Sequence, residues 1–412
     1  MMEWFSKNRH PVSAIVFFIL SAALRFLAEI RTIHPTGWDG YYYVMQVHSW
    51  ITFGHMQAPD FSLIYPFFTL FTFVAPDPVT GFKIGVAVLA GLLVISVYFY
   101  LIQRSVSWTI VCLACSYVVF SPLITYFILQ FPKNTLGLTF FIFLIGRLQT
   151  GKINVRDGII TTILFFATVI THRMTGVFAL LAIILFAFRY ISWKWLVPGA
   201  VVVIALGFLP GVLHVSDFAR LNGQFTTTPH WSPLYFAIVF GDSLDWIFTG
   251  DLVLITIAAI IVVILVIIDI RHLSSQALIW AVILSISLFP FFEFTGGAAG
   301  YRFFMITPIA LIVLIAELLK LSRVINLVFA GSFIVLALFS YRSYKPAFDA
   351  PNEAYIPIVN RLVERYDPHA YPLVIAHKSL AEIIIFKTDF DALNWLPPTI
   401  YFLSTCCASY TA

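Results

Sequence analysis

The sequence predicts an all-α polytopic membrane protein, with about eleven transmembrane helices, an amphipathic first outer loop and a small C-terminal α/β appendage. Three observations carry that expectation. Of the 412 residues, 60% are hydrophobic and only 11% charged, and the mean hydropathy is +0.94. Apolar runs near the ~20 residues that cross a bilayer recur along the chain. Lys and Arg gather in alternate connections, as topology demands. A soluble domain of this size could not hide so much apolar surface.

The first span is expected at 11–30. Lys7 and Arg9 ahead of Val12 to Leu24 look like a signal peptide, but further apolar runs follow, so the segment reads as an uncleaved first span. Segment 61–76 is apolar, short and broken by Pro66, which fits an interfacial or re-entrant helix. Further spans are expected at 80–102, 107–127, 135–149, 158–171, 174–189, 195–213, 252–268, 276–292, 303–320 and 323–340.

These spans make 1–340 a transmembrane module and 341–412 a tail domain. The tail has charges, prolines and ordinary alternation. N-E-A-Y-I-P-I-V-N-R-L-V-E-R-Y reads as an amphipathic helix whose start Pro357 restricts. P-L-V-I-A-H reads as a short buried strand, and S-L-A-E-I-I-I-F as a helix that Ser379 caps. The tail is short for an independent domain and is expected to lean on the rest of the chain.

Charge and cysteine content exclude several classes. The formal net charge of +4 comes from scattered cations, not a basic tract, so no nucleic acid is expected. Cys112 and Cys115 read as small hydrophobes one helical turn apart. Cys406 and Cys407 are adjacent, and disulfide geometry disfavours their pairing.

With the N-terminus inside, the inner side receives Lys7, Arg9, Arg104, Arg147, Lys152, Arg156, Arg189, Lys194, Arg271, Lys320 and Arg323. The outer side receives single cations in unusual settings: Lys133 in Q-F-P-K-N, Arg173 in T-H-R-M-T and Arg302 in G-Y-R-F-F. It also receives Asp39, His172, the 212–251 loop, Glu293 and the tail. An acid with several cations at one membrane surface suits a phosphate-bearing lipid.

The first outer loop holds the acid. G-W-D-G-Y-Y-Y-V-M-Q-V-H-S-W places Asp39 between Gly37 and Gly40, before a helix rich in aromatic residues. Asp39 reads either as a helix N-cap in an aromatic belt or as a group kept for chemistry. His48 and His55 read as interface residues, and Glu293 as an ion-pair partner of Arg302.

Asp39, Tyr42, Gly54 and Tyr65-Pro66, with the late G-Y-R-F-F-M-I-T-P, resemble the GT-C superfamily of membrane glycosyltransferases. The branch is that of the protein O-mannosyltransferases and the lipid A aminoarabinose transferase. The likeness covers about the first hundred residues by motif and the rest by topology. It implies a polyprenyl-phosphate-linked sugar as donor, a glycan, lipid or protein acceptor, inversion at the anomeric carbon, and a prokaryotic cytoplasmic membrane.

On that reading Asp39 is the general base, and Tyr42 and Tyr65 belong to the substrate site. Arg302, beside Tyr301, is the leading phosphate ligand, because its fork matches phosphate oxygens. Lys133, Arg173 and His172 are further phosphate-site candidates. Some relatives hold a divalent metal with a second acid. Gly40 stands where that acid would be, so no metal is expected at the site. Asp217, Asp242 and Asp245 are the alternative source of one.

Two other classes stay open: a transporter or flippase of a lipid-linked substrate, and a non-catalytic membrane subunit whose tail recruits a partner.

Overall fold

The computed structural model describes residues 2–37, 39–57, 60, 62–148, 155–190, 223–240, 246–269, 273–294, 300–318, 354–367, 369–370, 373–375, 378–388 and 391–393. The expected spans 195–213 and 323–340 lie outside these residues, as do Asp217, Asp242, Asp245, Cys406 and Cys407.

The described chain is overwhelmingly helical. In order it forms α1 (Met2–Glu29), α2 (Gly40–Phe53), α3 (Ile64–Thr72), α4 (Pro78–Gln103), α5 (Trp108–Phe120) and α6 (Pro122–Gln130). Next come α7 (Pro132–Arg147), α8 (Val155–Thr171), α9 (Arg173–Tyr190), α10 (Ser232–Phe240), α11 (Trp246–Asp269) and α12 (Ser275–Ser287). The chain then forms α13 (Gly300–Phe304), α14 (Thr307–Leu318), α15 (Ile356–Arg365), β1 (Leu373–Ile375), α16 (Lys378–Lys387) and β2 (Asp391–Leu393).

Among the described residues three segments are long and apolar enough to cross a membrane: Arg9–Glu29, Pro78–Gln103 and Gly300–Leu318. The pair α5 and α6, bent by 58°, makes a fourth if counted as one span. Exposed side chains agree with a lipid environment. Ile159, Ile163 and Phe166 line one face of α8, and Val253, Ile257, Ile260, Ile264 and Ile267 line one face of α11. Apolar stripes at helical spacing that face outward are the reverse of a water-soluble pattern. They mark a multi-pass membrane protein.

Two expected spans are interrupted. The run 107–127 breaks at Ser121, whose extended φ −61° and ψ 125° are what a residue before proline adopts. The run 303–320 begins as the short α13 and restarts as α14, just ahead of Pro308. Expected span 276–292 ends early, at Ser287, with Pro290 close behind.

Two compact units divide the chain. The first comprises Met1–Ser21, Ala90–Phe127 and Lys133–Tyr344. Its polar joints are buried carboxylates. Asp251, on α11, accepts from Tyr117 Oη (2.9 Å), Ser121 Oγ (2.6 Å) and the Leu123 N–H (3.1 Å). It therefore closes the break between α5 and α6, where amides lose their helical partners. Glu317 accepts from Tyr100 Oη, Ser274 Oγ (3.1 Å) and Arg104 (3.4 Å). Ser274 also caps α12 by accepting from the Ala277 N–H, at 3.0 Å. Fully buried Trp280 packs edge-on against Tyr100 and Phe141. Cys115 is buried and Cys112 half-buried, both as free thiols on α5.

The second unit comprises Ala22–Leu89, Ile128–Pro132 and Lys345–Ala412, so the tail groups with the first loop. Its small core joins Tyr41 of α2 to Val359 of α15 and to Ile383 and Ile384 of α16. Phe386 adds ring contacts with Tyr41 (5.9 Å) and His48 (5.7 Å). His48 is thus packed under the tail, whereas His55 is exposed. β1 and β2 pair in parallel, Val374 opposite Ala392, with α16 as their crossover. β2 is an element the sequence reading did not expect. Pro357 falls in the first turn of α15, as its fixed φ allows. The expected cap at Ser379 is not formed: α16 already begins at Lys378, which places Ser379 inside the helix.

Asp251→Ala leaves three buried donors without an acceptor, and we expect it to cost roughly 2–3 kcal/mol. Asp251→Asn keeps one acceptor oxygen and should cost less. Thermal unfolding in detergent reads both, and an unchanged midpoint in the alanine variant would contradict this joint.

Candidate functional site

The chain leaves α1 through a turn held by buried charge. Arg25 and Glu29, one helical turn apart, are both buried. Glu29 accepts from Thr36 Oγ1, and Lys83 of α4 donates to the Thr32 carbonyl. Asp77 starts α4 by accepting from the Val79 and Thr80 N–H groups at 2.9 and 3.0 Å. Burial alone would raise its pKa, but these bonds, the Thr80 hydroxyl and Lys83 outweigh it and hold the carboxyl below its ordinary value.

Gly37 then takes φ +79°, and a Cβ there would sit 2.6 Å from the Leu129 carbonyl oxygen. Both the conformation and the contact require glycine. Asp39 follows at the N-cap of α2 with φ −99° and ψ 13°, in the bridge region where active-site residues often sit. Its carboxylate makes no capping hydrogen bond; only its main-chain carbonyl serves the helix, accepting from the Tyr43 N–H at 3.2 Å. Capping therefore does not explain the aspartate. It is half-buried.

The loop holds a second carboxylate that the sequence reading passed over. Tyr42 Oη donates to Asp60 Oδ2 at 3.1 Å, and Tyr65 Oη donates to the same oxygen. Gln46 Nε2 donates to Tyr42 Oη at 3.1 Å. Tyr42 and Tyr65, both substrate-site candidates, are thus brought together on Asp60. Tyr43 packs between them and α4, 6.2 Å from Tyr65 and stacked on Phe82 at 6.1 Å. Burial, then the Asp60 charge, pushes the Tyr42 phenol up to about 12. Burial pushes Tyr65 further, with the neighbouring Tyr42 and Asp60 adding to it. Asp60 lies five residues before Tyr65, in A-P-D-F-S-L-I-Y. An acid in an aromatic loop was the available signal; its two partners are set only by folding.

The candidate cations belong to the other unit. Lys133 is the second residue of α7 and half-buried. Beside it, Asn134 is buried, and its Nδ2 meets no partner among the described residues. His172 separates α8 from α9, and its carbonyl accepts from the Gly176 N–H at 2.9 Å. Arg173 opens α9 and is exposed. A Cβ on Gly137 would overlap Thr175, so the starts of α7 and α9 lie against each other. That places Lys133 and the His172-Arg173 pair at one end of the unit. Phe178 of α9 meets Phe303 of α13 at 5.8 Å. Arg302 folds over Tyr301: its Nε donates to Tyr301 Oη at 3.1 Å, and its guanidinium carbon is 5.6 Å from the ring centre.

Arg302 stands on α13, a helix of five residues. Glu293 Oε1 accepts from the Phe294 N–H at 2.9 Å. Among the described residues no three His, Cys, Asp or Glu side chains gather as metal ligands.

The Tyr42 phenol gives a pH prediction. A tyrosine in the unfolded chain titrates near 10, whereas the folded one holds its proton to about 12. The folded state then binds the extra proton, so stability is intact below pH 10 and falls as pH rises toward 12. Thermal midpoints across that range should fall more steeply in the parent than in Tyr42→Phe.

No protein-family model and no curated protein matches this chain.

Proposed function

We propose that this protein is an integral membrane glycosyltransferase. It moves a sugar from a polyprenyl phosphate to an acceptor hydroxyl on the extracytoplasmic face, with inversion. The observation that carries the reading is Asp39. It heads α2 in a glycine-dependent turn, in bridge-region backbone, and its carboxylate is not spent on capping. An aspartate retained there without a capping role is a candidate for proton chemistry.

In the proposed reaction Asp39 takes the acceptor hydroxyl proton as the oxygen attacks the anomeric carbon. The new glycosidic C–O bond forms on one face while the bond from that carbon to the phosphate oxygen breaks on the other. The electron pair leaves with the lipid phosphate. That departing charge calls for cations and hydrogen-bond donors, and the family resemblance offers Arg302, Arg173, Lys133, His172 and Tyr301 as the candidates. The topology that goes with this reading has about eleven spans, the N-terminus inside and the tail outside, in a prokaryotic cytoplasmic membrane.

The bend between α5 and α6 favours a second reading, transport of a lipid-linked substrate, since transporters build sites at broken helices. Against it, Asp251 already occupies this break and takes its donors.

The test uses purified full-length protein with polyprenyl-phosphate-linked hexoses and aminoarabinose as donors, following release of free polyprenyl phosphate by mass spectrometry. Asp39→Asn should lower release at least ~100-fold, as expected for loss of a positioned base. Undiminished release would remove Asp39 from this role. Vesicle flux without release would favour transport.

A further inference from the structure

Two carboxylates stand in the first loop, and they are used differently. The Gln46 amide donates to Tyr42 Oη, which fixes the direction of the Tyr42 proton toward Asp60. Tyr65 donates to the same oxygen from another helix. The relay therefore runs Gln46 to Tyr42 to Asp60, with Tyr65 entering from the far side. Both phenols keep their protons and donate them to Asp60 Oδ2.

These partners lie on separate elements. Tyr42 and Gln46 are on α2, four residues apart and so on one face; Tyr65 is in the first turn of α3. Asp39 precedes Tyr42 by three residues, which puts it at the head of that same face. Gln46 and Tyr65 are fully buried. The far end of α2 is held less firmly: Phe53, Gly54 and His55 are exposed, and Gly54 closes the helix with φ +74°. Apolar contact between α2 and α3, through Tyr43 with Tyr65 and Phe68, holds the pair together without setting a direction. The hydrogen bonds to Asp60 are directional.

We infer that Asp60 is a positioning residue for the proposed transfer: through Tyr42 and Tyr65 it locks α2 against α3 and so fixes where the Asp39 carboxylate points. The inference rests on the glycosyltransferase reading for its link to catalysis, but not for its structural half. Asp60 is assigned positioning rather than proton transfer because one of its oxygens, Oδ2, joins two phenols from separate helices.

Full-length Asp60→Asn, Asp60→Ala, Tyr42→Phe and the Asp60→Asn/Tyr42→Phe double variant are compared in the polyprenyl phosphate release assay. In Asp60→Asn, kcat should fall roughly 10–100-fold, the scale of a base misplaced by about an ångström. KM should stay within about threefold, and the acid limb of the pH–rate profile should not move, because Asp39 remains the base. The double variant should lose less than about twofold more than Asp60→Asn, since both changes break one bond. Unchanged kcat, loss of the acid limb, or multiplying effects would each overturn the inference.

Amide hydrogen exchange gives a readout besides activity. Asp60→Ala should speed exchange across residues 40–47 of α2 and the first turn of α3 together; unaltered exchange overturns the positioning role. If the parent protein releases no polyprenyl phosphate while Asp60→Ala still loosens both helices, the glycosyltransferase reading fails and the structural lock stands.

Discussion

A carboxylate taken out of water costs free energy until donors meet it, and the polar joints of this chain follow from that demand. Asp251 draws a tyrosine, a serine and a main-chain amide to the break between α5 and α6. Glu317 draws Tyr100 and Arg104 from the end of α4 and Ser274 from the cap of α12. Asp60 draws Tyr42 and Tyr65 from two helices of the first loop. Apolar helices slide past one another at little cost in a lipid-like surrounding, because tails are as apolar as leucine. Hydrogen bonds to a buried charge do not tolerate such sliding, so these joints set register where packing alone would leave it loose.

Asp39 stands at the head of α2 without capping it. It occupies the position where an aspartate ordinarily caps a helix, yet its side chain does not do so. The turn that delivers it is expensive in sequence terms. Gly37 has no substitute, because of both its φ and the Leu129 carbonyl. Glu29 is spent on Thr36, and Lys83 on the Thr32 carbonyl, in the same short connection. The tail adds support from behind, since Tyr41, next but one to Asp39, is part of the core shared with α15 and α16. His34 contributes as well, bonding Tyr41 Oη through Nδ1 at 2.7 Å.

Much of the helical plan was legible in order along the chain. The periodic, uninterrupted apolar runs emerged within a few residues of expectation in α4, α8 and α9, and α1 ends where expected but starts at Met2. Errors fell at prolines. The break at Ser121-Pro122 falls inside the expected run 107–127, because proline lacks the donor and restricts the residue before it. Of the site, Asp39 was legible from its glycines, and Tyr42 and Tyr65 from the resemblance. Asp60 was not, because its importance comes from partners at separations of 18 and 5 residues, which no helical or strand period encodes.

By itself, then, the amino-acid order determined the membrane class, the helices and an acid at the head of α2, because hydropathy, period and turn chemistry act locally. Tertiary structure alone decided which donors each carboxylate received, that the tail would seat on α2, and that the starts of α7 and α9 would meet at Gly137 and Thr175. Such contacts depend on where distant segments arrive in space, and the free energy that selects among them is shared over many residues rather than written at one position.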